Sequence, residues 1–315
     1  QRIDHIFKKQ IFGIAITELT SLMSRRSTYC SKYPNGPFSV CDFSKNNIEG
    51  NIRFKKIKHT WRDKKCIFCG ATQSEYDRGE SLETHAYEFI HTNNPEGIWN
   101  MKFDVIVGNP PYQLSDGGHG VSAKPIYHLF VEQAKKLNPR YLTMIIPARW
   151  YAGGKGLNDF RKEMLLDRRI SHLYDFSNSN DCFSGVTIAG GVCYFLWDRT
   201  YDGECLVGNY ENNKFLFARR SLSEFPIFVR DNLAIKIIHH IQEFEEKTFD
   251  EIVKSRNSFG LPSNFKSAAT TRKSIPVLSS SGIQHASHIE ISDRDNILEK
   301  YKVIINYAMS GGNKP

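Results

Sequence analysis

Asn109-Pro110-Pro111-Tyr112 carries the clearest chemical pattern in this sequence. The Asn109 side-chain oxygen and the Pro110 carbonyl are two acceptors on adjacent residues. Together they can take the hydrogens of an exocyclic amine and turn its lone pair towards an electrophile. The prolines restrict the backbone that holds those acceptors. Tyr112 offers an aromatic face on which a planar base can stack. An amine conjugated with an aromatic ring is a poor nucleophile, so positioning and polarisation are what such a site must supply. The plain alternative is a rigid Pro-Pro turn after a strand, with Asn as turn former.

A second pattern suits metal chemistry. Cys66-Ile67-Phe68-Cys69 is a CxxC knuckle followed by Gly70, with His85 and His91 downstream. Two thiolates and two imidazoles suit tetrahedral zinc, and Glu83 and Glu88 are near enough in sequence to support the ligands. A redox CxxC or two merely packed cysteines are the alternatives. The knuckle borders a basic run in which Lys45, Arg53, Lys55, Lys56, Lys58, Arg62, Lys64 and Lys65 face only Glu49 and Asp63. A small metal-stapled insertion touching the phosphates of a polyanion fits that neighbourhood.

These residues need elements to position them. Ile11–Ile16 and Phe103–Gly108 are apolar runs suited to buried parallel strands, the second delivering Asn109 to a strand's carboxyl end. Open parallel sheets collect ligands at that rim. A polar loop over 113–124 leads to a helix with Ile126, Leu129, Phe130, Ala134 and Leu137 at helical spacing. Leu19, Leu22, Met23 and Cys30 share one face of an earlier helix. Strands are predicted at Tyr141–Ile146 and Ile170–Phe176, with a helix at 157–169 between them. Val192–Trp197 and Glu204–Val207 read as antiparallel strands around the turn Arg199–Gly203. The alternation predicts an α/β fold with a mainly parallel sheet. A domain boundary is placed near 218–225, with a helix near 230–245 just beyond it.

Composition narrows the class. The chain of 315 residues is 40% hydrophobic and 24% charged, as in ordinary globular proteins, so it can bury a sizeable core. A net charge of +8 weakly favours a polyanionic partner. Seven scattered cysteines, an odd count, fit free thiols in a reducing cytoplasm. No apolar run reaches the roughly 18 residues of a membrane span, so no membrane association is expected. Residue 1 is Gln, and the chain is read as an internal piece of a longer protein.

Phe103–Gln113, with Asn109-Pro110-Pro111-Tyr112 inside it, resembles the catalytic motif of S-adenosylmethionine-dependent adenine-N6 DNA methyltransferases of restriction-modification systems, closest to the Eco57I-like family. Gln10–Ile16 resembles that fold's second strand, and Tyr141–Trp150 the strand after the catalytic motif. Phe183-Ser184-Gly185-Val186, followed by Gly190-Gly191-Val192, resembles the late motif whose aromatic packs on the extruded base. The resemblance covers about residues 10–210. It implies a Rossmann-like methyltransferase domain over 1–218, with a zinc-knuckle-like insertion at 60–95, and the start of a DNA target-recognition domain over 219–315, near Ser258–Pro262. It implies S-adenosylmethionine as cofactor, held by Gly13, Glu18, Gly108 and Asn109. It also implies double-stranded DNA as partner, Tyr112 and Phe183 against the target base, and a fused or separate restriction endonuclease. The family's Gly-rich cofactor loop would lie before the first strand, and it is not in this sequence. The family's acidic residue after the second strand has Ala15 in its most direct place and Glu18 nearby. Asp104 reads as structural. Glutamine- or RNA-directed methyltransferases also use this motif, and a catalytically inactive DNA-binding fragment is the non-enzymatic alternative. The length beyond residue 218 favours the DNA enzyme over the former.

Overall fold

The computed structural model describes residues 2–79, 82–114 and 124–245, and beyond these 251, 253–254, 258–262, 265–266, 274–279, 282–294 and 296–303. The chain divides into two compact units, Gln1–Ile238 and His239–Pro315.

The first unit opens with α1 (Arg2–Lys9), β1 (Gly13–Ile14) and α2 (Glu18–Tyr29), followed by β2 (Ile52–Arg53). The predicted strand Ile11–Ile16 shortens to the two residues of β1, which pair in parallel with β2. Thr17 and Thr20 cap α2 reciprocally, which fixes where the helix begins. Its apolar residues do not make its buried face. Leu19 and Met23 are exposed, whereas Ser21, Arg25 and Tyr29 are buried. Arg25 donates to the Ile52 carbonyl and pairs with Glu49, so a charge-assisted anchor sets the helix orientation. A small hairpin, β3 (Trp61–Arg62) and β4 (Lys65–Cys66), and the one-turn helix α3 (Gln73–Tyr76) come next.

The main sheet is built from β5 (Val105–Gly108), β6 (Tyr141–Pro147), β7 (Ile170–Phe176), β8 (Val192–Asp198), β9 (Cys205–Glu211) and β10 (Lys214–Arg220). Its order is β10-β9-β7-β8-β6-β5. Helices α4 (Tyr127–Lys136) and α5 (Asn158–Leu166) connect β5 to β6 and β6 to β7. Ile126, Phe130, Ala134 and Leu137 are buried at the helical spacing read from the sequence, and they share a core with Leu142, Met144, Ile146, Leu173, Phe195 and Trp197. The opposite side of β7 and β8 carries a cross-strand aromatic ladder, with Tyr174 stacked on Tyr194 at 4.6 Å and Phe215 edge-on at 5.3 Å.

Two expectations are corrected. The sheet is mixed rather than mainly parallel: β5–β6 and β7–β9 are parallel, but β8 runs antiparallel to both β6 and β7. Between β7 and β8 there is only the short 3-10 turn Ser179–Asp181 and no α-helical crossover, and the chain returns in the opposite direction. Moreover, β8 and β9 do not form a hairpin. The apolar strand β7 lies between them, and the connection at 199–204 crosses its start, where Gly203 donates to the Arg168 carbonyl.

The helix over 232–242, α6 (Asn232–Gln242), follows β10; Asn232 donates to the Val207 and Leu216 carbonyls and ties it to β9 and β10. In the second unit, β11 (Ile275–Ser279) and β12 (Gly282–Ala286) form an antiparallel pair. The amides of Ile297 and Leu298 both donate to the Asp293 carboxylate. Among the described residues, no helix is long and apolar enough to cross a membrane.

The start of β7 is pinned by Asp167, whose carboxylate accepts from Arg169 and the Trp197 indole and pairs with Lys135 at 3.0 Å. Burial alone would raise this carboxyl, but Arg169, Lys135 and Trp197 outweigh it and hold it down to about 2. The folded value lies below the ordinary one, so the stabilisation is complete above about pH 4 and is lost as pH falls towards 2. Asp167→Asn is expected to cost about 2 kcal/mol at pH 7. Urea melts from pH 7 to pH 3 should show the gap between parent and variant constant down to about pH 4 and narrowing below it.

Candidate active site

Asn109 follows β5 directly, at its carboxyl end, as the strand pattern predicts. Beyond it Pro110 is buried, and Pro111 and Tyr112 are half-buried. The two arms of the following loop pair with each other. Ile126 donates to the Tyr112 carbonyl at 3.1 Å, Leu114 to the Lys124 carbonyl at 3.0 Å, and Gln113 and Pro125 form an antiparallel bridge. Residues 115–123 of that loop lie outside the described residues. Tyr112 is therefore fixed at the base of the loop rather than carried at its tip.

A cavity of about 710 Å³ opens beside this turn. Asn109, Pro110, Pro111 and Tyr112 form one wall, and Phe183, Val186, Thr187, Ile188 and Ala189 form another; Tyr127, Pro147 and Arg149 also line it. Phe183 is half-buried and stands apart from the hydrophobic core cluster, on the cavity wall. The Tyr112 hydroxyl is buried without a hydrogen-bond partner. Burial, and then the thiols of Cys182 and Cys193, push its pKa up to about 12, which keeps the phenol neutral.

A second cavity, of about 330 Å³, meets the first at Asn109, Pro110 and Pro111. It runs between Phe12–Ile16 on one side and Val105–Gly108 on the other, so Gly13 and Gly108 both line it. Glu88 and Trp99 line it too, and Glu88 Oε2 and Trp99 Nε1 are buried without partners. Glu18 is not on this cavity. It lines a third, of about 300 Å³, with Thr17, Lys56 and His85 among its neighbours.

Two anchors hold the Phe183 wall, and neither shows a pattern in the sequence. The buried Ser179 hydroxyl donates to the Val186 carbonyl at 2.7 Å and accepts from the Ile188 amide at 2.8 Å, closing the loop on itself. Arg230, from beyond β10, forms a bidentate pair with the buried Asp175 at 2.5 and 2.7 Å and donates to the carbonyls of Gly190 and Phe176. Gly191 sits at φ +77°, where a Cβ would strike the Phe176 carbonyl oxygen, so this crossing accepts only glycine.

The cysteine–histidine segment differs from its sequence reading. Cys66, Cys69 and His91 come together as expected, but the fourth member is His59; the four ligand atoms lie within 4.8 Å of one another. His85 is turned away, its Nδ1 3.1 Å from the Tyr87 hydroxyl and 3.5 Å from Glu83. Burial lowers its pKa. Glu88 is taken up by Arg53 at 2.8 Å, so it does not support a ligand, and Arg53 is not an open member of the basic run. Lys55, Lys56 and Lys58 are exposed.

The chain matches the family model of the Eco57I restriction-modification methylase over residues 9–183, more than half its length. It belongs to that family. A Mycoplasma pneumoniae protein named as an uncharacterized adenine-specific methylase is 33% identical over 297 residues, which cover 86% of this chain and 69% of the relative. The Escherichia coli type II restriction enzyme and methyltransferase RM.Eco57I is 29% identical over 131 residues, 35% of this chain and 12% of that protein. Among solved structures, a nuclease-deletion mutant of the type ISP restriction-modification enzyme LlaGI, in complex with a DNA substrate mimic, aligns with 74% of this chain and 22% of its own. The TM-score is 0.41 at 13% identity. The matched span of this methylase family contains both the Asn109–Tyr112 turn and Phe183.

Arg230→Ala would leave the Asp175 carboxylate buried and unpaired, a loss on the order of 3–5 kcal/mol. Arg230→Lys is expected to recover only part of it, since an ammonium lacks the two-pronged fork. Denaturant melts give the stability, and limited proteolysis should show earlier cleavage between 183 and 190 in Arg230→Ala.

Proposed function

We propose that the chain is the catalytic part of a site-specific DNA methyltransferase of a restriction-modification system. It would move a methyl group from S-adenosylmethionine to N6 of an adenine turned out of the duplex. The observation that carries this reading is the junction of two cavities at Asn109–Pro111, with Tyr112 and Phe183 on the walls of the larger one. A planar base placed there has an aromatic ring on each of two walls and the Asn109 and Pro110 oxygens at its edge.

S-adenosylmethionine supplies an electrophilic methyl group on a sulfonium. The smaller cavity fits part of such a molecule, with mostly apolar walls for an adenine ring and the unpartnered Glu88 Oε2 as a buried acceptor for a hydroxyl or amine. Gly13, Gly108 and Asn109 would lie against it, with Glu88 rather than Glu18 as the acidic contact. The chain's own part in the reaction is at the amine. Asn109 Oδ1 and the Pro110 carbonyl would hold its hydrogens and stabilise the positive charge that builds on nitrogen as the bond to the methyl carbon forms. Tyr112 stays neutral and acts by stacking.

Double-stranded DNA is the proposed partner. The exposed Lys55, Lys56 and Lys58 and the segment beyond residue 219, read as target recognition, would contact it. An associated endonuclease belongs to the same proposal.

The test is methyl incorporation into DNA by the full-length gene product, with nucleoside analysis. Asn109→Ala is expected to lower kcat on the order of 10²-fold or more, with binding little changed, because its contact matters mostly in the transition state. Tyr112→Ala should cost about 1–3 kcal/mol in base binding, and Tyr112→Phe should retain most activity. N6-methyladenine formed by Asn109→Ala at the parent rate, or methylated glutamine or RNA as the product, would overturn the assignment.

Replacing Lys55, Lys56 and Lys58 by Ala should flatten the dependence of DNA affinity on salt by about 0.9 in log–log slope for each phosphate these lysines neutralise. An unchanged slope would remove them from the interface.

A further inference from the structure

The cluster left over by the methyl-transfer reading is His59, Cys66, Cys69 and His91. We propose that these four residues bind one structural zinc ion that holds the 59–91 segment against the base of the catalytic loop.

The spacing fits the ion. His59 Nδ1 lies 3.2 Å from His91 Nε2 and 3.6 Å from Cys69 Sγ. Tetrahedral zinc, with Zn–N near 2.05 Å and Zn–S near 2.3 Å, requires about 3.3 Å between two nitrogens and about 3.6 Å between nitrogen and sulfur. His59, Cys66 and Cys69 are buried and His91 is half-buried.

The hydrogen bonds behind the ligands point the same way. His59 Nε2 is 2.5 Å from the Thr84 carbonyl oxygen, and His91 Nδ1 is 2.8 Å from that of Tyr87. A carbonyl only accepts, so each ring carries its proton on the outer nitrogen. In two neutral rings the inner nitrogens then present lone pairs to each other. That contact is repulsive unless a cation lies between them, and zinc also accounts for the two sulfurs. This outward bonding is the usual support for metal-bound imidazoles. The backbone of the knuckle is closed by two bonds, with the Cys66 amide donating to the Ala71 carbonyl at 2.9 Å and the Gly70 amide to the Cys66 carbonyl at 2.8 Å. Gly70, at φ +66°, makes the turn of the knuckle.

All four positions of the tetrahedron are filled by protein, so the ion is structural and has no open position for substrate. Its setting gives it a role. Gln133 of α4 donates to the carbonyls of Phe89 and Thr92, on either side of His91. The Lys124 ammonium, at the end of the loop that begins after Tyr112, reaches into the space a side chain at Gly70 would fill. The metal cluster thus abuts the loop that holds Tyr112 and the helix that follows it.

Chain purified without chelator from zinc-supplemented medium should contain about one zinc per molecule by elemental analysis. Cobalt(II) exchanged into it should show the intense visible absorption of a tetrahedral site with thiolate ligands. His59→Asn, His91→Asn and Cys66→Ser should lose the metal on dialysis, whereas His85→Asn should keep it. Variants that fail to fold are bypassed on the parent chain, where a thiol-specific mercurial should release zinc to a chromogenic chelator in step with the modification of two buried thiols. Chain free of metal after supplementation, a Cys66–Cys69 disulfide in the native protein, or zinc that survives His59→Asn but not His85→Asn would overturn the proposal.

Discussion

Four rungs of parallel pairing between β5 and β6 set the position of Asn109 and the turn that follows it. Val105, Ile106, Val107 and Gly108 pair with Tyr141 to Met144 in register, and the next residue is Asn109. β5 is the edge of the sheet, with Val105 and Val107 53% and 75% exposed, so its alignment comes from one side alone. That side is secure because β6 itself pairs with β8 through seven consecutive residues. The last rung has a packing constraint as well. A Cβ on Gly108 would lie 3.3 Å from the Met144 terminal methyl, so any other residue there would push the end of the Met144 side chain aside by a few tenths of an ångström. A one-residue slip would turn the Asn109 side chain to the other face of the sheet.

How much of this could be read from the sequence follows from the range of each interaction. β7 and the buried face of α4 were legible because their signals are local: an apolar run in one case and a helical period in the other. The turn at Asn109 was legible for the same reason. The supposed hairpin of β8 and β9 was not, because a local pattern cannot show that a strand formed earlier, β7, occupies the place between them. The outward-facing Leu19 and Met23 misled for a related reason: Arg25 reaches Glu49 and the Ile52 carbonyl, and that distant pairing decides the helix face.

The histidines make the point most sharply. Counting along the chain from Cys69 selects His85, since its distance suits a zinc finger. The fold selects His59, which looks like part of a basic run. The β3–β4 hairpin pairs Trp61 with Cys66, and the Ile67 amide donates to the Thr60 carbonyl, so His59 is carried back beside the knuckle. His85 sits at φ +56° and is held by Tyr87 and Glu83 instead. Arg230 and Ser179 were invisible in the sequence for the same reason, since each acts on partners that only the folded chain brings near.

The larger cavity needs these hidden anchors because its walls are loops. Ordering a loop costs roughly 1–2 kcal/mol per residue in backbone entropy, and a wall facing a cavity buries too little apolar surface to offset it. The Phe183 wall meets that cost with hydrogen bonds and charge: the Ser179 hydroxyl bridging Val186 and Ile188, and Arg230 spanning Asp175, Phe176 and Gly190. The Tyr112 wall meets it with backbone pairing across the loop base, at Leu114–Lys124 and Tyr112–Ile126. The two walls are anchored independently, one to the carboxyl end of β7 and the other to the start of α4. Under the proposed function, a flat ligand between the two rings would meet walls held by separate anchors, while the β5–β6 pairing, which belongs to neither wall, holds the strand end at Asn109.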